Sequence, residues 1–223
     1  MPLVNPAFRA VGSINPARFV TPASTADFSV MSAGVSLAGC VTTNTSASVT
    51  VPANTIPNGS LVSGTGIPAG AFVLYGGGTT TLVLSAAATA SGTVTLTFFG
   101  KPIGISQDGS KFPQTEDGWG SGATTLAAED GDQLLVYGLG EVCLLEVDSS
   151  GTASPASSAP PIVAGDWLVS NSSGKGVKFT TNGGNGIGDN LPTHVGAIAL
   201  ESPTTGSSSS LIRVQVVNFT VTQ

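Results

Sequence analysis

The side chains best suited to chemistry in this chain are His194, Cys40, Cys143 and the acidic group Glu129, Asp130 and Asp132. A histidine acting as general base needs a nucleophile and an orienting acid within reach. His194 stands in Pro192-Thr193-His194-Val195, entering a strand, which fits a structural or surface position better. As the sole histidine it also excludes a multi-histidine metal centre. Cys40 and Cys143 are far apart and fit no metal or redox spacing. Their apolar, strand-like neighbours describe buried free thiols, with a disulfide as the open alternative. The acidic group precedes a strand at an Asp-Gly turn, so a solvated turn fits it better than an acid pair. Gly183 to Asp189 resembles one imperfect copy of a calcium-binding repeat that works only by stacking. Gly64-Thr65-Gly66 and Gly174-Lys175-Gly176 are fragments of phosphate loops without the full spacing or a following helix. The expectation is a protein with no catalytic residue, no cofactor and no metal site: not an enzyme.

Composition points the same way. Of 223 residues only 9% are charged, while 40% are hydrophobic and 30 are glycine. The mean hydropathy of +0.31 is high, yet no apolar run approaches the roughly 18–20 residues of a spanning helix. Leu134 to Tyr137 and Ala197 to Leu200 are strand-sized. No membrane partner is expected, and the amino terminus lacks the apolar core and cleavage pattern of a secretory signal. Asn-x-Ser/Thr triplets at Asn44, Asn58, Asn171 and Asn218 are what Ser/Thr-rich sequence produces by chance. The net charge of −6 arises from scattered acids. No basic stripe offers itself to nucleic acid. So little surface charge predicts burial against other subunits.

The elements that must position these residues are strands. From residue 42 to 98 there is no Lys, Arg, Asp, Glu or His. Val49 and Val51, Leu82 and Leu84, and Val94, Leu96 and Phe98 alternate with Thr and Ser, the half-buried strand signal. Pro and Gly breaks divide the block into five short antiparallel strands near 46–51, 60–63, 71–75, 80–85 and 92–98. Further strands are predicted at 132–137, 141–148, 166–170, 177–180, 195–201 and 211–217. Only a short helical turn near 124–129 competes. Phe28 to Val30 and Val35 to Val41 read as strands of the main body, resumed at Pro102–Ser106. The expected fold is all-β: a β-barrel or sandwich parent domain (26–41 and 99–223) with a small antiparallel, Ig-like module (42–98) inserted.

Residues 1–25 carry Pro2, Pro6, Pro16 and Pro22, which bar a helix or a central strand. With Phe8, Arg9, Arg18 and Phe19 this stretch reads as an extended arm laid across a neighbour. Trp167 alternates with Val169 and is expected in the core. Trp119, in a glycine-rich loop, is a candidate interface anchor or carbohydrate platform.

The parent domain resembles the capsid decoration (cement) proteins of tailed bacteriophages. The resemblance rests on Lys101-Pro102-Ile103-Gly104-Ile105-Ser106-Gln107-Asp108-Gly109, Ala128-Glu129-Asp130-Gly131-Asp132 and Val136-Tyr137-Gly138-Leu139-Gly140-Glu141-Val142. Ala164-Gly165-Asp166-Trp167-Leu168-Val169, Gly174-Lys175-Gly176 and Val195-Gly196-Ala197-Ile198-Ala199-Leu200-Glu201 continue the series. It covers roughly 99–217 and is one of order and texture. It implies a homotrimer on the outer capsid surface of a virion, bound to the major capsid protein and stabilising it. Phe8, Arg9, Arg18, Phe19 and Trp119 are then the candidate capsid or subunit contacts. A phage tail or fibre component and a carbohydrate-binding module are the alternatives.

Overall fold

The computed structural model describes residues 8–24, 27–107, 127–148, 161–180, 193–203 and 210–221. They are all-β, with strands in three small curled sheets.

The first sheet takes β1 (Phe8–Ala10), β2 (Phe19–Pro22), β3 (Ser29–Ser32), β10 (Gly104–Ser106), β11 (Gln133–Leu134) and β12 (Val136–Tyr137) in the order β11-β1-β3-β2-β10-β12. Only Leu135 separates β11 from β12, so the two edges of this sheet are pieces of one segment and the sheet curls to meet itself. Ala10, Ile14, Val20, Val30, Leu134 and Val136 fill its interior.

The second sheet is built from β4 (Gly34–Thr42), β5 (Ser48–Thr50), β6 (Leu61–Gly64), β7 (Val73–Tyr75), β8 (Thr81–Leu84) and β9 (Gly92–Phe99), ordered β6-β9-β4-β5-β8-β7. Its edges approach through a Leu61–Phe72 bridge and a bond from the Val62 N–H to the Ala71 carbonyl at 2.8 Å. Such closure leaves little open edge for unwanted strand pairing. The inward residues of the alternating pattern, including Val49, Leu82, Leu84, Leu96 and Phe98, form its core.

The third is a closed barrel, β13 (Val142–Val147), β15 (Gly176–Lys178), β14 (Trp167–Ser170), β16 (Thr193–Ala199) and β17 (Ser210–Val221) in that order. Leu145, Val147, Leu168, Ile212 and Val214 pack inside together with Phe19 and Ile105 from the first sheet.

Four expectations are corrected. Val35 to Val41 belongs to the second sheet: β4 pairs with β9 from Gly34↔Phe99 to Thr42↔Gly92. That unit therefore runs from Gly34 to Phe99, and its first and last strands are neighbours. The amino-terminal prolines do not keep residues 8–22 out of the sheet. β2 lies inside it, between β3 and β10, with Pro22 at its last position, where a missing N–H costs least. Trp167 is not core, because a register shift between Leu168 and Val169 breaks the alternation and leaves the indole 43% exposed. Finally, of the candidate helical turn at 124–129, residues 124–126 lie outside the described residues, and Ala127–Glu129 is not helical, with Ala128 bridging to Ile14.

Candidate interaction surfaces

The ionisable side chains are spent on turns and joints. In the Glu129–Asp132 turn the Asp132 carboxylate accepts the Glu129 N–H at 2.9 Å. Asp166 accepts the Val163 N–H at 2.8 Å in the same way. Both turns place a glycine (Gly131, φ 87°; Gly165, φ 93°) at the third position, where the left-handed conformation suits it. Glu141 repeats the device on the Gly138 N–H at 2.6 Å. The acids of the Gly-Asp motifs are thus turn locks.

Where barrel and first sheet meet, Glu146 of β13 holds two cations. Its Oε1 lies 2.6 Å from Lys175 Nζ, and its Oε2 pairs with Arg18 Nη1. Arg18 is buried, and its main-chain N–H reaches the Ser106 hydroxyl at 3.1 Å. Beside it the Gln107 side chain stands in for a strand neighbour. Its Oε1 accepts the Leu144 N–H at 3.0 Å, and its Nε2 donates to the Leu144 carbonyl at 2.6 Å.

His194 is half-buried, with Nδ1 2.9 Å from the Thr220 hydroxyl and Nε2 buried without a hydrogen-bond partner. Burial lowers its pKa; Lys101 adds to this and the Gly59 backbone opposes it. Both cysteines are free and buried. Burial, then the Glu141 charge, pushes the Cys143 thiol up to about 12; burial also raises Cys40, against a backbone hydrogen bond at Leu96. Such thiols are inert. Among the described residues no group of three or more His, Cys, Asp or Glu is placed to hold a metal ion.

What remains open to partners is surface. On the outer face of the barrel Val142 and Leu144 of β13 and Leu211 of β17 are exposed, with Leu139 and Leu200 nearby in sequence and also exposed. The register sets Leu144 opposite Arg213 and Leu211 opposite Glu146. Arg213 is itself paired with Glu201 at 2.9 Å. Trp167, exposed, lies edge-on to half-buried Phe219 with ring centroids 5.2 Å apart. The second sheet presents a row of hydroxyls along with exposed Val41, Leu74 and Tyr75. Thr93, Val41, Thr50 and Thr81 align across β9, β4, β5 and β8, and the Ser36 and Thr97 hydroxyls meet at 2.9 Å.

The sequence-predicted contacts divide. Arg9 is exposed on β1, and Phe8 is half-buried against the first core. Arg18 and Phe19 are corrected: both are buried inside their own chain, Phe19 completely, so neither offers a contact surface. Trp119 lies outside the described residues. The apolar strip on β13 and β17 escaped sequence reading, because Leu144 and Leu145 look equivalent until register decides which one faces out. No family model, curated protein or solved structure matches the chain.

Proposed function

We propose that this chain is a structural virion protein that binds the outer surface of an assembled phage capsid as a trimer and stabilises it. The observation that carries the reading is the open apolar strip of Val142, Leu144 and Leu211 on a barrel whose neighbouring charges are already paired within the chain. Exposed apolar area of this kind marks a protein contact, and few unpaired charges need desolvating when it is covered. The unit of residues 34–99 wets part of its surface with Ser and Thr hydroxyls rather than with charge. Attachment of several copies to several coat subunits turns modest contacts into tight binding by multivalency.

Co-sedimentation with empty capsids tests the reading, alongside light scattering for the trimer. Wild-type protein is expected to pellet with capsids, and Leu144→Arg to stay in the supernatant while remaining folded. Wild-type protein that ignores capsids overturns it. Deleting residues 1–7, which precede β1, asks separately whether the start of the chain adds to attachment.

A further inference from the structure

Two features left unused by this reading match each other. Phe28 is 69% exposed and holds a left-handed backbone (φ 53°) just before β3. Bulky residues rarely adopt that conformation, and strain of this kind collects at sites of function. The Phe28 carbonyl accepts the Arg9 N–H at 2.8 Å, which ties this residue to β1. Between the first and second sheets lies a cleft of about 530 Å³. Val11, Met31, Val35, Leu37 and Ile56 supply its apolar lining, and Asp130 is the one charged residue lining it among the described residues. Phe28 does not fill the cleft of its own chain.

We propose that Phe28 of one copy of this chain inserts into the cleft of another. Charge complementarity selects the occupant. Exposed Arg9 stands beside Phe28, in register with Ser29, and the charge that the described residues bring to the cleft is the carboxylate of Asp130. Asp27, the other charge next to Phe28, is an acid like Asp130, so Arg9 is the group that Asp130 can match. One Asp130 oxygen accepts the Gly12 N–H at 3.0 Å, which aims the carboxylate and leaves its second oxygen for a guanidinium. A buried aromatic anchor ringed by polar contacts is the usual form of an interface hot spot.

The inference rests on the reading that copies of the chain assemble, and it names the contact. The test is self-association by sedimentation velocity. Phe28→Asn removes the ring while supplying a residue that tolerates the left-handed backbone. It is expected to weaken association at least tenfold with no loss of thermal stability. Asp130→Asn keeps an acceptor for Gly12 and is expected to weaken association a few-fold at low salt and hardly at all at high salt. Wild-type monomers, or Phe28→Asn assembling like wild type, overturn the contact. Capsid co-sedimentation of the same samples reports on the capsid reading separately, so the two can fail independently.

Discussion

The 34–99 unit and the β13–β17 barrel are both small curled sheets with apolar interiors, yet they treat charge in opposite ways. From Phe28 to Gly100 there is no Lys, Arg, Asp, Glu or His, so the polar part of the unit's surface is Thr, Ser, Asn and main chain. The barrel carries ion pairs on its own strands and turns, Asp166 with Lys178 at 2.8 Å and Arg213 with Glu201 at 2.9 Å, and Glu146 joins Lys175 of the barrel to Arg18 beside the first sheet. A unit whose first and last strands are paired neighbours needs little to hold it in place. A barrel that must grip the first sheet needs directional contacts. Charge serves the barrel's own turns and strands, and only Glu146 carries it across to the first sheet.

The strongest way to break this contrast is to remove the central anion. Glu146→Ala leaves Arg18 buried without its partner, and losing one member of a buried pair typically costs about 3–5 kcal/mol. Denaturant melts should show that loss. The barrel and the first sheet should be loosened by hydrogen exchange, while Leu82 and Leu96 stay protected. Equal loosening of both units would end the comparison. Next in size is Gly34→Ala at the start of β4. A Cβ there would lie 1.7 Å from the Asn171 carbonyl oxygen, which belongs to the turn after β14. Main chain cannot yield as a side-chain tip can, so a loss of about 1–3 kcal/mol is expected. Reduced protection at Ser170 and Gly174 would place the damage at the seam.

Local pattern made much of this legible. The predicted strands near 46–51, 60–63, 71–75, 80–85 and 92–98 correspond to β5 to β9, because alternation and Gly/Pro breaks act over a few residues. Pairing does not. Nothing near Val35 says that its partner is Phe98, and this is why β4 was assigned to the wrong sheet. Phe19 looked like an arm residue because its surroundings come from afar: an added Cβ on Gly196 would sit 2.6 Å from its ring. Trp167 was misread through a bulge that no single-strand pattern reveals. Phe28 and the cleft were illegible for the same reason, since one depends on a backbone angle and the other joins residues 11, 31, 56 and 130.

Gln107 sharpens the contrast at smaller scale. Its two bonds to Leu144 tie the end of β10 to the barrel edge without any charge. At about 0.5–1.5 kcal/mol for each of two hydrogen bonds, Gln107→Ala should cost about 1–3 kcal/mol. Because the bonds are neutral, the loss should be unchanged by salt, unlike any part of the Glu146 effect that is screened. A Gln107→Ala loss that shrinks at high salt would mean that its neighbours' charges, not its amide, hold the joint.

The two cysteines offer the finest comparison, one in each unit. Unfolding frees Cys143 to ionise above 9.0, whereas in the fold it keeps its proton to about 12. Between those values the unfolded chain binds fewer protons, so raising pH favours unfolding; below 9.0 both states hold the proton and the contribution is complete. The loss should reach about 1 kcal/mol by roughly pH 10 and should vanish from the pH profile of Cys143→Ala. Cys40 is raised in the same direction but is opposed by a backbone hydrogen bond at Leu96 and meets no anion, whereas Glu141 adds to the burial of Cys143. Cys40→Ala should therefore flatten the alkaline slope less. An alkaline slope left unchanged by Cys143→Ala would mean that the fold does not hold this thiol protonated.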